Sequence, residues 1–344
     1  MGVNRNLGAV ISRGLDQQSP ANAPAERLAS IDKRSHLWMR ANPWELMAVF
    51  KDKVVVVTGS SRGIGQATAI EFARLGAKVV SVARGVPHHI FPGTLAETEQ
   101  VIRGFGGEVV SVEADLMDED AIQKIYGETM SAFGQCDVLV NNAAASFLGS
   151  FQDLSLKRLD IIWKVNVRAA WQLSQLFLPQ MIERGSGRIV NVSSGGGHVN
   201  YEGARWEDLV SPASGEVRRM GVGQSGLGAI AYGTSKAALD RFTQGLAGEV
   251  AGQGIAVNAL GVEARTPPNV HFITDEESPE GELPEAPAQL ITWLAAQPIA
   301  VTGLILNQHE LLGPLRELGL LRPAAKPGDN PDLPSGSSGI LPKS

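Results

Sequence analysis

The chain has 344 residues, 43% of them hydrophobic, and a formal net charge of −6 at pH 7. That length holds one large α/β domain or two small ones, and the composition is that of a soluble globular protein with ample core. An acidic balance without a basic block argues against nucleic acid as a partner, and no apolar run reaches the length of a membrane span. Cys136 is the only cysteine, so an intrachain disulfide is impossible and a reducing, cytoplasmic setting is compatible. The six histidines show no ligand spacing, and His88-His89, in a Pro/Gly loop, reads as solvated, so no metal is expected. Met1 to Asn6 lacks an apolar signal core and the Ser/Thr of a myristoylation site.

In chain order, residues 1–50 form an N-terminal extension. The first 24 are polar and patternless, while Leu37-Trp38-Met39 and Trp44-Glu45-Leu46-Met47 suggest short helices packing on the domain or a partner. The domain itself is placed at 51–311. Lys53 to Val57 is β-branched and apolar, the pattern of a strand buried on both faces in a parallel sheet. Thr58-Gly59-Ser60-Ser61-Arg62-Gly63-Ile64-Gly65 follows, and then Gln66 to Ala73 reads as helix. Glycines let a turn approach a pyrophosphate, whose charge is met by amides at the helix N-terminus. The spacing is Gly-x3-Gly-x-Gly; taken alone, it also fits an ordinary tight strand-to-helix turn.

The second strand, Lys78 to Ala83, ends at Arg84 rather than at an acidic residue that would hold a ribose 2′-hydroxyl. Arg84 and Arg62 can instead clamp a 2′-phosphate, which favours NADP(H), with NAD(H) still possible. Further strands are placed near 108–113, 137–141, 187–192, 254–259 and 303–307. Alternation with helical runs predicts a Rossmann-like, doubly wound parallel sheet of about seven strands with helices on both faces. The cofactor should lie across the carboxyl ends of the strands. Asn166, inside the helical stretch Leu154 to Glu183, is mildly unfavourable there, which points to a functional reason.

Tyr232 and Lys236 sit at i and i+4 of a predicted helix and share one face. A free phenol titrates near pH ~10, too high for ready exchange at neutral pH. A nearby ammonium favours the phenolate and lowers that value, so Tyr232 becomes a candidate general acid/base.

With these pieces together, residues 51 to 310 resemble the short-chain dehydrogenase/reductase family in its common single-domain form. The matches come in the family's order: Thr58-Gly-x3-Gly-x-Gly65, Asp115-Leu116, Asn141-Asn142-Ala143-Ala144, Asn166, Val192-Ser193-Ser194 and Tyr232-x3-Lys236. The resemblance implies that Ser194 polarises the substrate oxygen and that Tyr232 is the general acid/base. Lys236 would lower the Tyr232 pKa and bind the nicotinamide ribose, and Asn166 would hold a water in the proton relay. The turn residues Gly59, Ser61, Arg62, Gly63, Ile64 and Gly65, with Arg84, would hold the phosphates. Asp115 and Leu116 would flank the adenine, and Asn141 and Ala143 would line the nucleotide cleft. The family commonly pairs through its two long central helices, so a homodimer or homotetramer is expected.

Four departures stand out. An inserted loop, 199–228, separates Ser194 from Tyr232 and carries Tyr201, Arg205, Trp206, Arg218 and Arg219, suited to walling a pocket or to a subunit contact. Val257 to Pro267 resembles the nicotinamide-side loop but lacks its Pro-Gly pair, with Thr266 at the carboxamide-binding position. The final strand runs on into Gln308-His309-Glu310 where the family carries Asp-Gly-Gly, and an acidic, Pro-rich stretch, His271 to Pro287, stands where a substrate lid is usual. Residues 312–344, Pro/Gly/Ser-rich from Pro323, read as a mostly disordered tail. The functional expectation is an NADP(H)-dependent oxidoreductase interconverting a small-molecule carbonyl and a secondary alcohol. A catalytically silent nucleotide-binding regulator of the same fold is the alternative.

Overall fold

The β-branched apolar runs assemble as one parallel sheet in a computed structural model that describes residues 43–85, 92–147, 150–194, 230–264 and 282–322. The readings of residues 1–42, His88-His89, the inserted loop 199–228, Thr266 and the segment from Pro323 onward lie outside the described residues. The strands are β1 (Val54–Thr58), β2 (Lys78–Ala83), β3 (Val109–Glu113), β4 (Val138–Asn141), β5 (Gly187–Ser193), β6 (Ile255–Gly261) and β7 (Ile305–Asn307). Their order is β3-β2-β1-β4-β5-β6-β7, with every pairing parallel. This is the Rossmann-like doubly wound sheet that the sequence predicted. The winding reverses between β1 and β4, and ligands of such sheets bind at that crevice.

Strand β1 shows why the sheet is buried on both sides. Val55 and Val57 enter one core layer, with Phe72 of α2 (Gly63–Arg74) and Leu290 of α8 (Glu285–Ala296). Val54 and Val56 enter the other, with Leu173 and Phe177 of α6 (Ala169–Glu183). Alternate side chains of a strand face opposite ways, so an unbroken apolar run serves both layers. Between the strands lie α3 (Leu95–Gly104), α4 (Glu119–Phe133), α5 (Leu156–Trp163) and α7 (Ile230–Glu249).

Both ends of the domain are tied down. The short helix α1 (Pro43–Phe50) inserts Leu46 and Phe50 into the first layer, and Phe50 meets Phe72 edge-to-face at 5.0 Å between ring centroids. Burying such a ring contributes roughly 1.5–3 kcal/mol. At the far end, α9 (Gln308–Glu317) buries Leu311, Leu312 and Leu315. Arg316 makes a two-pronged pair with Glu282 at 2.7 and 2.8 Å, and Arg322 pairs with Glu71 of α2. Residues 312–322, assigned from sequence to the head of a disordered tail, are therefore packed on the domain. Their leucines at helical spacing outweigh the breaker Pro314 inside the helix. No helix of the described residues is long and apolar enough to cross a membrane, and the described residues hold no group of three metal-ligating side chains.

Candidate active site

The glycine turn joins β1 to α2 at the switch point. Gly59 and Gly63 have φ of 71° and 55°, the left-handed region that glycine enters without strain. A Cβ on Gly65 would lie 2.2 Å from the Gly59 carbonyl oxygen and 2.3 Å from Asn142 Nδ2. Only a bare backbone fits there. The loop after β4 grips this turn: the Asn142 and Ala143 amides donate to Thr58 Oγ1 at 3.0 and 3.1 Å, and Asn142 Nδ2 donates to the Thr58 carbonyl at 2.8 Å. Ser60 is fixed to β2 through Ser81 Oγ at 2.7 Å. Arg62 occupies the N-cap of α2 in extended conformation, and its side chain makes no capping bond. The first amides of α2 thus keep their affinity for an anion, and the cradle fits a dinucleotide pyrophosphate. Ser61 is buried in this turn and Ile64 packs against the first core layer.

Arg62 and Arg84 lie close enough to act on each other. Burial and then the Arg84 charge hold the Arg62 guanidinium below its ordinary value, with Glu97 opposing. Arg84, just after β2, and Arg62, at the N-cap of α2, thus share a corner with the Glu97 carboxylate. Asp115 and Leu116 follow β3: Leu116 is buried, while Asp115 is exposed and accepts from the Met117 amide at 3.0 Å in a local turn.

Across the carboxyl edge of the sheet, Ser194 follows β5 and Tyr232 lies in the first turn of α7. Their side chains are hydrogen-bonded to each other. The Lys236 ammonium sits 5.6 Å from the Tyr232 ring centroid, is buried, and donates to the Val192 carbonyl at 2.7 Å. Burial pushes Lys236 down to about 8, with Asp240 opposing from the next turn. The phenol departs from the sequence expectation. Its pKa is raised: desolvation pushes it up, the Ser194 bond pulls it down, and the Glu263 carboxylate pushes it up again. Burial of a group that would become charged outweighs the help given to the phenolate.

Asn166 is at the centre of a π-turn, Lys164–Arg168, between α5 and α6. The predicted single helix is interrupted there. Its side chain accepts from the Ala145 amide at 2.7 Å, and donates to the Ala145 carbonyl at 3.0 Å and to Ser235 Oγ at 2.9 Å. Ser235 Oγ in turn donates to the Tyr232 carbonyl at 2.7 Å. The amide is committed to joining the β4 loop to α7. Asn141 similarly donates to Asn191 Oδ1 at 2.8 Å, and Asn191 donates to Thr243 Oγ1 of α7 at 2.8 Å. This buried chain fixes α7 to the sheet.

Sequence reasoning singled out neither Asn191, Thr243 nor Glu263 as site residues. Asn191 had a signal, since an amide inside an apolar strand needs a partner. Glu263 had none: it meets Gln308 and His309 only through the fold.

With this geometry in place, likeness to known proteins becomes informative. A family profile described as short chain dehydrogenase matches residues 53–205. A short chain dehydrogenase of Pseudocercospora fijiensis is 34% identical over 63% of this chain, and the match spans 61% of that relative's length, under two thirds. The oxidoreductase UcpA of Salmonella typhimurium is 31% identical over 62% of this chain and 70% of its own. Among solved structures, a metagenomic short-chain oxidoreductase in complex with NADP is 28% identical, covering 75% of this chain and 96% of that one with a TM-score of 0.57. The matched relatives and the Rossmann-like sheet lead to one conclusion: the chain belongs to the short-chain dehydrogenase/reductase family.

Proposed function

We propose that the protein is an NADP(H)-dependent oxidoreductase that interconverts a carbonyl and a secondary alcohol on a small molecule. The observation that carries this reading is the Ser194–Tyr232 hydrogen bond, with the Lys236 ammonium beside the phenol and the glycine cradle on the same edge of the sheet. When bound, the nicotinamide cofactor supplies or accepts the hydride. The chain's own part is orientation and proton transfer. Ser194 donates to the substrate oxygen and fixes its position. Tyr232 gives that oxygen its proton during reduction and takes it back during oxidation. Lys236 holds the nicotinamide ribose and stabilises the phenolate that forms. Asn166, at the centre of the π-turn beside α7, is the residue at which a relay water would be ordered.

Gly59, Ser61, Arg62, Gly63, Ile64 and Gly65 would hold the pyrophosphate, Asp115 and Leu116 the adenine, and Asn141 and Ala143 the cleft wall. Preference for NADP(H) over NAD(H) rests on Arg62 and Arg84, whose mutual repulsion a 2′-phosphate relieves. The solved neighbour in complex with NADP supports the same choice. A homo-oligomer is supported by the outer faces of α6 and α7, where half-exposed Trp171 stacks on Phe242 at 4.8 Å. A cytoplasmic setting is supported by the single cysteine, buried and unpaired. The test is equilibrium binding of NADPH and NADH followed by turnover on ketones, aldehydes and quinones. Tight binding without turnover of any carbonyl would favour a nucleotide-binding regulator.

A further inference from the structure

One side chain joins two departures from the family pattern, the altered segment after β6 and the altered end of β7. Gly261 is level with Asn307 in the β6–β7 register, and main-chain pairing of the two strands stops at that rung, because α9 begins at Gln308. The buried Gln308 side chain supplies the next rung. Its Oε1 accepts from the Glu263 amide at 3.1 Å, and its Nε2 donates to the Glu263 carbonyl at 2.7 Å. A carboxamide carries the donor and the acceptor of a peptide unit, so it stands in for one. On the other side of β6, Ser193 is level with Gly261, and the Val262 amide points to the Ser193 carbonyl at 3.5 Å. Ser194 and Val262 therefore leave the sheet side by side. Strand order puts β6 on the side of β5 away from the glycine turn, which follows β1. The segment Val262 to Ala264 accordingly bounds the site at the end opposite the cradle.

We infer that Gln308 is a positioning residue for the nicotinamide end of the cofactor: it acts through the Glu263 backbone, fixing the segment that leaves β6 beside Ser194. The inference rests on the proposed reading that Ser194 and Tyr232 face a nicotinamide. Without the clamp, the Glu263 amide and carbonyl lose their partners, and the segment is free to take another path out of the sheet. The cradle is held by other bonds. Thr58, Asn142, Ser60 and Ser81 secure it at the ends of β1, β4 and β2, and none of these residues touches Gln308 in the clamp. The effect of losing Gln308 should therefore fall on one half of the cofactor.

The full-length protein is compared with Q308M and Q308E by equilibrium binding of NADPH and of 2′,5′-ADP, which carries the adenosine half without the nicotinamide. Methionine keeps the length of the side chain and makes neither bond. Glutamate keeps an acceptor toward the Glu263 amide and sets a second acceptor against the Glu263 carbonyl, so it serves as the second variant should Q308M not fold. Both should bind 2′,5′-ADP within about twofold of wild type and NADPH about 10- to 100-fold more weakly, the size of one or two lost hydrogen bonds. Purely structural damage would weaken both ligands together. An equal loss for both ligands in a folded variant, or NADPH binding left unchanged, overturns the inference. A wild type that binds NADPH no more tightly than 2′,5′-ADP removes the nicotinamide reading, and this inference with it. A selective loss of NADPH in a protein that turns over no carbonyl sustains the Gln308 role and removes the reductase reading instead.

Discussion

The Tyr232 hydroxyl and the Ser194 side chain are hydrogen-bonded across the gap between α7 and the end of β5. The two groups come from elements distant in sequence, and the buried Asn141–Asn191–Thr243 chain holds those elements together. A serine fixed in this way presents a donor to a substrate oxygen without reorganisation. Replacing Ser194 by Ala should lower kcat about 10²- to 10³-fold while leaving NADPH binding nearly unchanged. Steady-state kinetics alongside a binding isotherm check both halves.

The glycine cradle makes a steric prediction. A methyl group at position 65 lands 2.2 Å from the Gly59 carbonyl oxygen, which is backbone and cannot swing aside. Gly65→Ala should abolish measurable dinucleotide binding and cost ~1–3 kcal/mol of stability through overpacking. Circular dichroism and urea unfolding should show a folded, weakened protein.

Arg84 tests the cofactor choice. Its charge already depresses Arg62, so an anion between them relieves repulsion as well as gaining hydrogen bonds. Arg84→Ala should weaken NADPH binding about 10- to 100-fold, the size of one charge-assisted bond, and change NADH binding far less. An equal loss for both cofactors would remove Arg84 from the 2′-phosphate site.

Lys236 links the site to stability. Its folded pKa of about 8 lies below the ordinary 10.5, so the unfolded chain binds the extra proton between those values. From this group alone, stability rises as pH climbs from about 8 toward 10.5, and at neutral pH the buried ammonium costs roughly 3 kcal/mol. Lys236→Met should therefore be more stable than wild type at pH 7 and inactive, and the difference should shrink as pH rises. Urea midpoints at several pH values measure it.

Much of the architecture was legible in the residues. The seven strands fall within two positions of their predicted ends because β-branched apolar runs bounded by turn residues admit few other conformations. The glycine turn and the Tyr232–Lys236 face were legible because each depends on local spacing. What depends on long-range partners was not. Nothing near Asn166 announces that its amide is spent on Ala145 and Ser235, or that the helix around it widens into a π-turn. The raised Tyr232 pKa follows from desolvation by the folded surroundings, which an i, i+4 rule does not contain. Helix α9 continued past the expected boundary because its leucines found the first core layer.

The most direct test compares NADPH oxidation by the intact protein and by Tyr232→Phe across ketones, aldehydes and quinones. The account predicts turnover of at least one carbonyl, reduced about 10²- to 10⁴-fold in the phenylalanine variant with NADPH affinity preserved. A variant as active as wild type would contradict it, as would a wild-type protein that binds NADPH tightly and reduces none of them.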